Sequence, residues 1–132
     1  AIGGWDTHAN QPRRHQALLA QLSTSISALY RDLQAQGLDR QVLTLVQTEF
    51  GRRPAENGSS GTDHGTAASV VAIGGGVKGG FYGGQPALDS LVNGNLPMKV
   101  DFRAVYGEVV SKWLKGSPKA VLEQTFPSIG FI

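Results

Sequence analysis

The pattern that most constrains the fold is a long amphipathic segment followed closely by a short apolar run. In residues 12–36, leucine and isoleucine recur every three or four positions, which is the spacing of one buried helix face. Pro12 suits the first turn of this helix, and Gly37 suits its C-terminal cap. Residues 42–46 are rich in β-branched residues and almost wholly apolar, as in a strand buried within a parallel sheet. The order indicates an α/β chain.

The same kinds of element recur further along the chain. Residues 69–73 predict a second buried strand, and Asp101 suits the cap of a second helix that extends to residue 114. A short third helix is expected at residues 118–124, and residues 54–65 are expected to form a polar loop. The sequence therefore predicts an α/β fold with a mostly parallel sheet and flanking helices. The strands near Ile2, at 42–46 and at 69–73 should lie in that one sheet.

Composition excludes several classes of protein. The 132 residues suffice for one domain, and a net charge of +2 with only two arginine doublets does not indicate a nucleic-acid surface. The absence of cysteine excludes disulfides, cysteine zinc sites and thiol nucleophiles. No run of 18 apolar residues is present, so we expect no membrane span.

Three polar clusters lie where predicted strands end or loops begin. The clusters are residues 5–8, 48–52 and 61–65. In open parallel sheets, binding sites collect beyond the carboxyl ends of the strands. Asp6, His8, Glu49 and His64 offer carboxylates and imidazoles, which suit zinc, manganese or a similar divalent ion. Arg52 offers a guanidinium that can hold a phosphate or sulfate through two hydrogen bonds.

Two of these clusters also have purely structural interpretations. Asp6 and His8 can close a turn and cap the following helix, because short polar side chains favour such positions. Glu49 can form a surface ion pair with Arg52 or Arg53. His64 is harder to explain structurally, since a solvated loop gains little from a histidine in a glycine-flanked segment.

The motifs and their order resemble the DUF1501 family. The segments that carry the resemblance are residues 4–8, 48–53, 61–65, 75–80, 82–83 and 100–106. They span nearly the whole chain, so residues 1–132 look like the C-terminal portion of a DUF1501 domain, which in that family is considerably longer. The resemblance implies a branch of the alkaline-phosphatase and sulfatase-like superfamily, and with it a metal-dependent hydrolase of phosphate or sulfate esters.

The resemblance also implies roles for individual residues. Asp6 and His8 match a first group of metal ligands, His64 matches a later histidine, and Glu49 falls where a ligating aspartate stands. The implied cofactor is a divalent metal such as zinc, manganese, calcium or magnesium, and the implied partner is a small anionic ester. Phe50 departs from this pattern, because it replaces a metal-binding histidine of the superfamily. The alternative is therefore a non-catalytic exported protein that retains the fold without an active metal site.

Further expectations concern this chain by itself. The superfamily's nucleophile has no counterpart here, so the isolated chain should be inactive on esters. Without upstream strands it should present an exposed sheet edge, through which it can pair with a second copy. Members of the family commonly carry export signals, so the resemblance implies a periplasmic or exported location.

Overall fold

The computed structural model describes residues 2–132 as a mixture of helices and short strands. The elements in chain order are α1 (Gln11–Ala35), β1 (Thr44–Val46), β2 (Gly51–Glu56), β3 (Thr62–Gly65), β4 (Val71–Ile73), α2 (Phe102–Glu108), a π-helical segment (Val109–Trp113) and α3 (Pro118–Leu122). None of the helices in the described range combines the length and the apolar character that crossing a membrane requires. Ile2 belongs to no strand, and Ala1 lies outside the described residues.

The first helix follows its predicted bounds to within one residue. It runs over Gln11–Ala35, where the sequence predicts 12–36, and it has a proline in its first turn. Gly37 follows the helix with a φ of 68°, a left-handed conformation that glycine adopts without strain. Its N–H donates to the carbonyl of Gln34, while the N–H of Leu38 donates to that of Leu33. These two bonds form a Schellman motif and satisfy carbonyls at the helix end.

The predicted parallel sheet is wrong. β1 pairs with β4 in antiparallel register, with Thr44 opposite Ile73 and Val46 opposite Val71. β2 pairs with β3, also antiparallel, in a separate two-stranded sheet. A parallel pair needs a crossover that returns the chain to the starting end, usually through a helix. Residues 47–70 contain a hairpin and no helix, so β4 runs back alongside β1.

The hairpin of β2 and β3 replaces the polar loop expected at residues 54–65. The backbone N–H of Asn57 donates to the carbonyl of Gly61 at 2.8 Å, and the N–H of Ser60 donates to that of Asn57 at 3.2 Å. Most side chains of both strands are at least partly exposed, so the segment lacks the apolar alternation by which a strand is recognised.

The small core lies around α2. Ala104, Val105 and Phe131 are its buried apolar residues, and α3 packs against α2. The phenolic oxygen of Tyr106 accepts a hydrogen bond from Gln47 at 2.6 Å, which ties α2 to the residue after β1. Asp101 caps α2 as predicted, because its side chain accepts from the N–H of Arg103.

The long helix α1 flanks the β1–β4 sheet without burying any residue fully. Leu22 and Ile26 of α1 line an apolar groove together with Val46 and Ile73 of the sheet. Since the sheet has two strands, each has a free edge within the part of the chain that the structure describes. Pairing of two copies through this edge stays a prediction.

Candidate metal centre

The segment before α1 presents Asp6 and His8 outwards on either side of a buried residue. Thr7 is only 1% exposed, whereas the side chains of Asp6 and His8 are 54% and 49% exposed. Alternate side chains of an extended segment share one side of the backbone. Thr7 is turned inward, and Asp6 and His8 on either side of it are exposed. Asp6 does not cap α1, because the N-cap position is Asn10.

The β2–β3 hairpin brings His64 to this segment. His64 lies opposite Arg52 in the register of the two strands. The hairpin turn is bonded to the start of α1, since the carbonyls of Ser59 and Ser60 accept from the N–H groups of residues 10 and 11 at 3.0 and 2.8 Å. Glycine is required at position 61, because a Cβ atom there would lie 2.3 Å from the carbonyl of His8. This close approach fixes the distance between the two halves of the site.

Three side-chain atoms converge at the centre of the site. The Oδ1 atom of Asp6 lies 3.0 Å from the Nε2 atom of His8 and 3.0 Å from the Nε2 atom of His64. The two Nε2 atoms are also 3.0 Å apart. Each imidazole nitrogen has one in-plane direction for a donated or an accepted bond, so pairwise hydrogen bonds cannot satisfy all three contacts.

A cation near the middle of this triangle would satisfy all three atoms at once. Tetrahedral zinc has bonds of about 2.0–2.1 Å to nitrogen and oxygen, which places its ligand atoms roughly 3.3 Å apart. The spacing of 3.0 Å between the imidazole nitrogens is close to that value. Within residues 2–132, the group of three donor side chains close enough together to share one ion consists of Asp6, His8 and His64, and we call these residues the triad.

Arg52 anchors the carboxylate of the triad. Its Nη2 atom forms a short ion pair with Asp6 and lies 3.5 Å from the carbonyl of Trp5, while Nη1 donates to the carbonyl of Thr62 at 2.6 Å. The hydrogen bond from His64, together with that from Arg52, lowers the pKa of Asp6 below its ordinary value. Asp6 is therefore ionised at neutral pH, the state in which a carboxylate binds metal.

Phe50 supports the imidazole of His64. The two rings stack with their centroids 3.8 Å apart and their planes inclined by 17°. The guanidinium carbon of Arg52 lies 5.3 Å from the centroid of the Phe50 ring, within the range of a cation–π contact. Phe50 cannot bind a metal, but it restricts the ring plane of a residue that can.

The structure brings together three of the four predicted metal ligands. Glu49 is exposed, lies outside the triad and forms no ion pair among the described residues. Its role as a ligand stays a prediction. Arg52 lies beside the triad, yet both of its Nη atoms donate to protein acceptors, so its role in holding an anion also stays a prediction. His15, the third histidine, packs edge-on against Trp5, with the ring centroids 5.9 Å apart.

Sequence reasoning missed one residue that organises the site. Asn57 stands at the hairpin turn, where its amide bonds to the backbone of His8 and to the side chain of Asp63. The signal for it is the Asn57–Gly58 pair, since Asn-Gly is a strong indication of a tight hairpin turn. That signal is weaker here because no alternating apolar strands flank it.

Comparison with known proteins identifies a family. Residues 1–101 match the family described as "Protein of unknown function (DUF1501)". No curated protein and no solved structure is similar to the chain at a significant level. The matched residues include all members of the triad, Phe50 and Arg52. Because the match covers more than half of its residues, this chain belongs to the DUF1501 family.

Proposed function

We propose that this chain binds a divalent metal ion through Asp6, His8 and His64, and that the metal serves the hydrolysis of phosphate or sulfate esters. The observation that supports metal binding is the mutual 3.0 Å spacing of one carboxylate oxygen and two imidazole nitrogens. The proposal of ester hydrolysis is supported by the resemblance of the motifs to the alkaline-phosphatase and sulfatase-like superfamily. An exported location is proposed on the same resemblance.

The donor atoms favour zinc or manganese over calcium or magnesium. Calcium and magnesium prefer oxygen ligands, whereas two of the three donors in the triad are imidazole nitrogens. Three protein ligands also leave at least one coordination position open, the arrangement of catalytic rather than structural zinc sites. The triad residues are about half exposed, so a small anion can reach the open position.

The residues of the site would have different roles. Asp6, His8 and His64 would hold the ion, while Arg52 keeps the Asp6 carboxylate in place. Such a metal supplies Lewis-acid activation of an ester oxygen and lowers the pKa of a bound water. No hydroxyl of the chain matches the superfamily's nucleophile, so the attacking group is not assigned to these residues.

A second candidate function is metal binding without ester hydrolysis. It is favoured by Phe50, which stands where the superfamily has a ligand, and by the engagement of both Nη atoms of Arg52 with protein acceptors. In this case the chain would retain the ion as part of an exported, non-catalytic protein. The two candidates differ in whether the metal-loaded site binds an anion.

The metal site is tested by titrating the metal-free chain with zinc in a calorimeter. We expect one zinc ion per chain, and we expect His64→Ala and Asp6→Asn each to abolish measurable binding. His15→Ala is the matched control, because it removes the one histidine outside the triad and should bind zinc as the unaltered chain does. Zinc binding that survives His64→Ala would contradict the proposed site.

The hydrolytic part is tested with inorganic phosphate and sulfate as probes. Phosphate or sulfate should bind the zinc-loaded chain and should not bind after the metal is removed with a chelator. Binding of zinc with no anion binding would support the non-catalytic alternative. Generic phosphate and sulfate monoesters should not be turned over by this chain, and turnover that is lost in His64→Ala would show that the chain carries its own nucleophile.

A further inference from the structure

The side-chain amide of Asn57, beside the triad, has a hydrogen-bond partner for each of its donors and acceptors. Its side-chain oxygen accepts from the backbone N–H groups of Ser59 and Gly61 at 3.0 and 3.1 Å. Its side-chain nitrogen donates to the carbonyl of His8 and to the Oδ1 atom of Asp63, both at 3.1 Å. The amide thus uses two acceptor lone pairs and two donors, which is its whole capacity.

This arrangement determines which way the amide points. Backbone N–H groups can only donate, so the oxygen of Asn57 must face Ser59 and Gly61 and its nitrogen must face the other way. The acceptors on that other side are the carbonyl of His8 and the carboxylate of Asp63. Asn57 therefore ties the backbone of a triad residue to the side chain of Asp63.

The Asp63 carboxylate, which accepts a hydrogen bond from Asn57, lies on the Nδ1 side of the His8 imidazole. The Oδ1 atom of Asp63 lies 3.9 Å from the Nδ1 atom of His8, whose other nitrogen, Nε2, belongs to the triad. A separation of 3.9 Å exceeds a direct hydrogen bond but leaves the carboxylate close enough to stabilise an Nδ1–H group electrostatically. Metal-bound histidines commonly donate their second N–H to such a carboxylate, which fixes the tautomer and orients the ring.

We propose that Asp63 and Asn57 are positioning residues for His8. Asn57 holds the carboxylate of Asp63, and this carboxylate stabilises the Nδ1–H form of His8 when Nε2 binds the ion. The inference therefore rests on the proposed metal site and concerns the metal-loaded chain.

Zinc affinity and the Nδ1–H proton of His8 are measured together on the whole chain. Asp63→Ala should lower zinc affinity about 10- to 100-fold, the usual effect of losing a carboxylate behind a metal-binding histidine. Proton–nitrogen NMR of the zinc-loaded chain should show the Nδ1–H proton of His8 shifted downfield by the Asp63 carboxylate, and the variant should lose this shift. Glu56→Gln is the control, because it removes one negative charge from the same hairpin outside the triad.

A second variant separates anchoring from charge. Asn57→Asp keeps an oxygen that accepts from Ser59 and Gly61, so the turn is retained, but it removes both donors of the amide. The new oxygen would face the Asp63 carboxylate and the His8 carbonyl, each 3.1 Å from the amide nitrogen that it replaces, so repulsion should displace Asp63. We expect zinc affinity to fall at least threefold, and equal or tighter binding would contradict the anchoring role of Asn57.

The outcomes distinguish this inference from the metal site itself. Unchanged zinc affinity and an unchanged Nδ1–H signal of His8 in Asp63→Ala would overturn the inference while leaving the metal site intact. If the unaltered chain binds no zinc, the proposed function fails and this inference fails with it. Zinc binding that is lost in His64→Ala but unaffected in Asp63→Ala overturns only the inference.

Discussion

Two carboxylates show how differently this chain uses the same chemical group. Asp6 is 54% exposed and contacts two imidazoles and a guanidinium beside the hairpin. The side chain of Glu108 has no exposure and lies at the end of α2. It accepts from the backbone N–H groups of Ile129, Gly130 and Ile132, from the hydroxyl of Ser128 and from the ammonium of Lys112.

The difference lies in how completely each carboxylate is satisfied by the chain. We call Glu108 together with residues 128–132 the tail clamp. Five donors within the protein bond to the two carboxylate oxygens of Glu108, so neither oxygen is available to a ligand. Asp6 instead converges with two imidazole nitrogens whose contacts cannot all be hydrogen bonds. A saturated buried carboxylate holds a fold together, whereas an exposed unsaturated group is available for a cation.

The largest expected effect is on the tail clamp. Glu108→Ala leaves several buried backbone N–H groups and one ammonium without an acceptor, so we expect the free energy of unfolding to fall by about 3 kcal/mol or more. Urea denaturation measures this, with exposed Glu56→Ala as control. Zinc affinity of the fraction that stays folded should change less than twofold. A loss of stability below about 0.5 kcal/mol would show that the clamp is not structural.

The next prediction concerns how the stability that the tail clamp contributes depends on pH. Burial raises the pKa of Glu108, but the hydrogen bonds from Ile132, Gly130, Ser128 and Ile129 outweigh it and lower the pKa to about 2. A carboxyl with a depressed folded pKa stabilises the fold above its ordinary value near 4.5, and this stability is lost as pH falls towards 2. Unfolding free energy measured between these pH values should therefore drop more steeply in the unaltered chain than in Glu108→Gln. Equal slopes would contradict the prediction.

A smaller effect is expected at Arg52, which links the two sides of the metal centre. Lysine has one nitrogen and cannot reproduce the bonds of Arg52 to Thr62, Trp5 and Asp6. Arg52→Lys should weaken zinc binding about tenfold, an effect of roughly 1.4 kcal/mol. Exposed Arg53→Lys should leave it unchanged. If zinc affinity is retained and binding of phosphate or sulfate is lost, Arg52 holds the anion, as the motif resemblance implies.

The smallest expected effect is at Phe50. Phe50→Leu keeps apolar volume but removes the ring that stacks on His64. Stacked aromatic pairs contribute about 0.5–1.5 kcal/mol beyond their buried area, so zinc affinity should fall roughly threefold. Phe81→Leu is the control, because Phe81 is 99% exposed. Unchanged affinity would show that Phe50 fills space without orienting the imidazole.

Sequence patterns that span only a few residues predict much of the helical structure. The bounds of α1, the glycine after it and the capping aspartate of α2 follow from periodicity and capping chemistry, which act within a few residues. Asp6, His8 and His64 were recognised as candidate ligands because their side-chain chemistry suits a divalent metal. Phe50 was recognised as a departure from the superfamily's ligand set, but its stacking on His64 has no signature in the linear sequence.

Strand pairing and the supports of the site depended on longer-range contacts. The apolar runs around β1 and β4 indicate buried strands, but their direction depends on the hairpin between them, whose polar strands lack alternation. Glu49 and His64 are both candidate ligands by residue type, and register places His64, not Glu49, opposite Arg52. Glu108 resembles any glutamate of an amphipathic helix until residues 128–132 fold over it.

The sequence by itself determined where the helical segments lie, the end of α1, the cap of α2 and the chemical types of residue that can form a metal centre. These properties depend on side-chain chemistry and on neighbours within a turn or two of the chain. Tertiary structure decided that β1 and β4 run antiparallel, that Asp6 and His64 meet across 58 positions, and that Asn57 and Asp63 lie behind His8. The reason is that bringing distant groups together depends on the close approach of the hairpin turn to residues 7–11, which no local preference encodes.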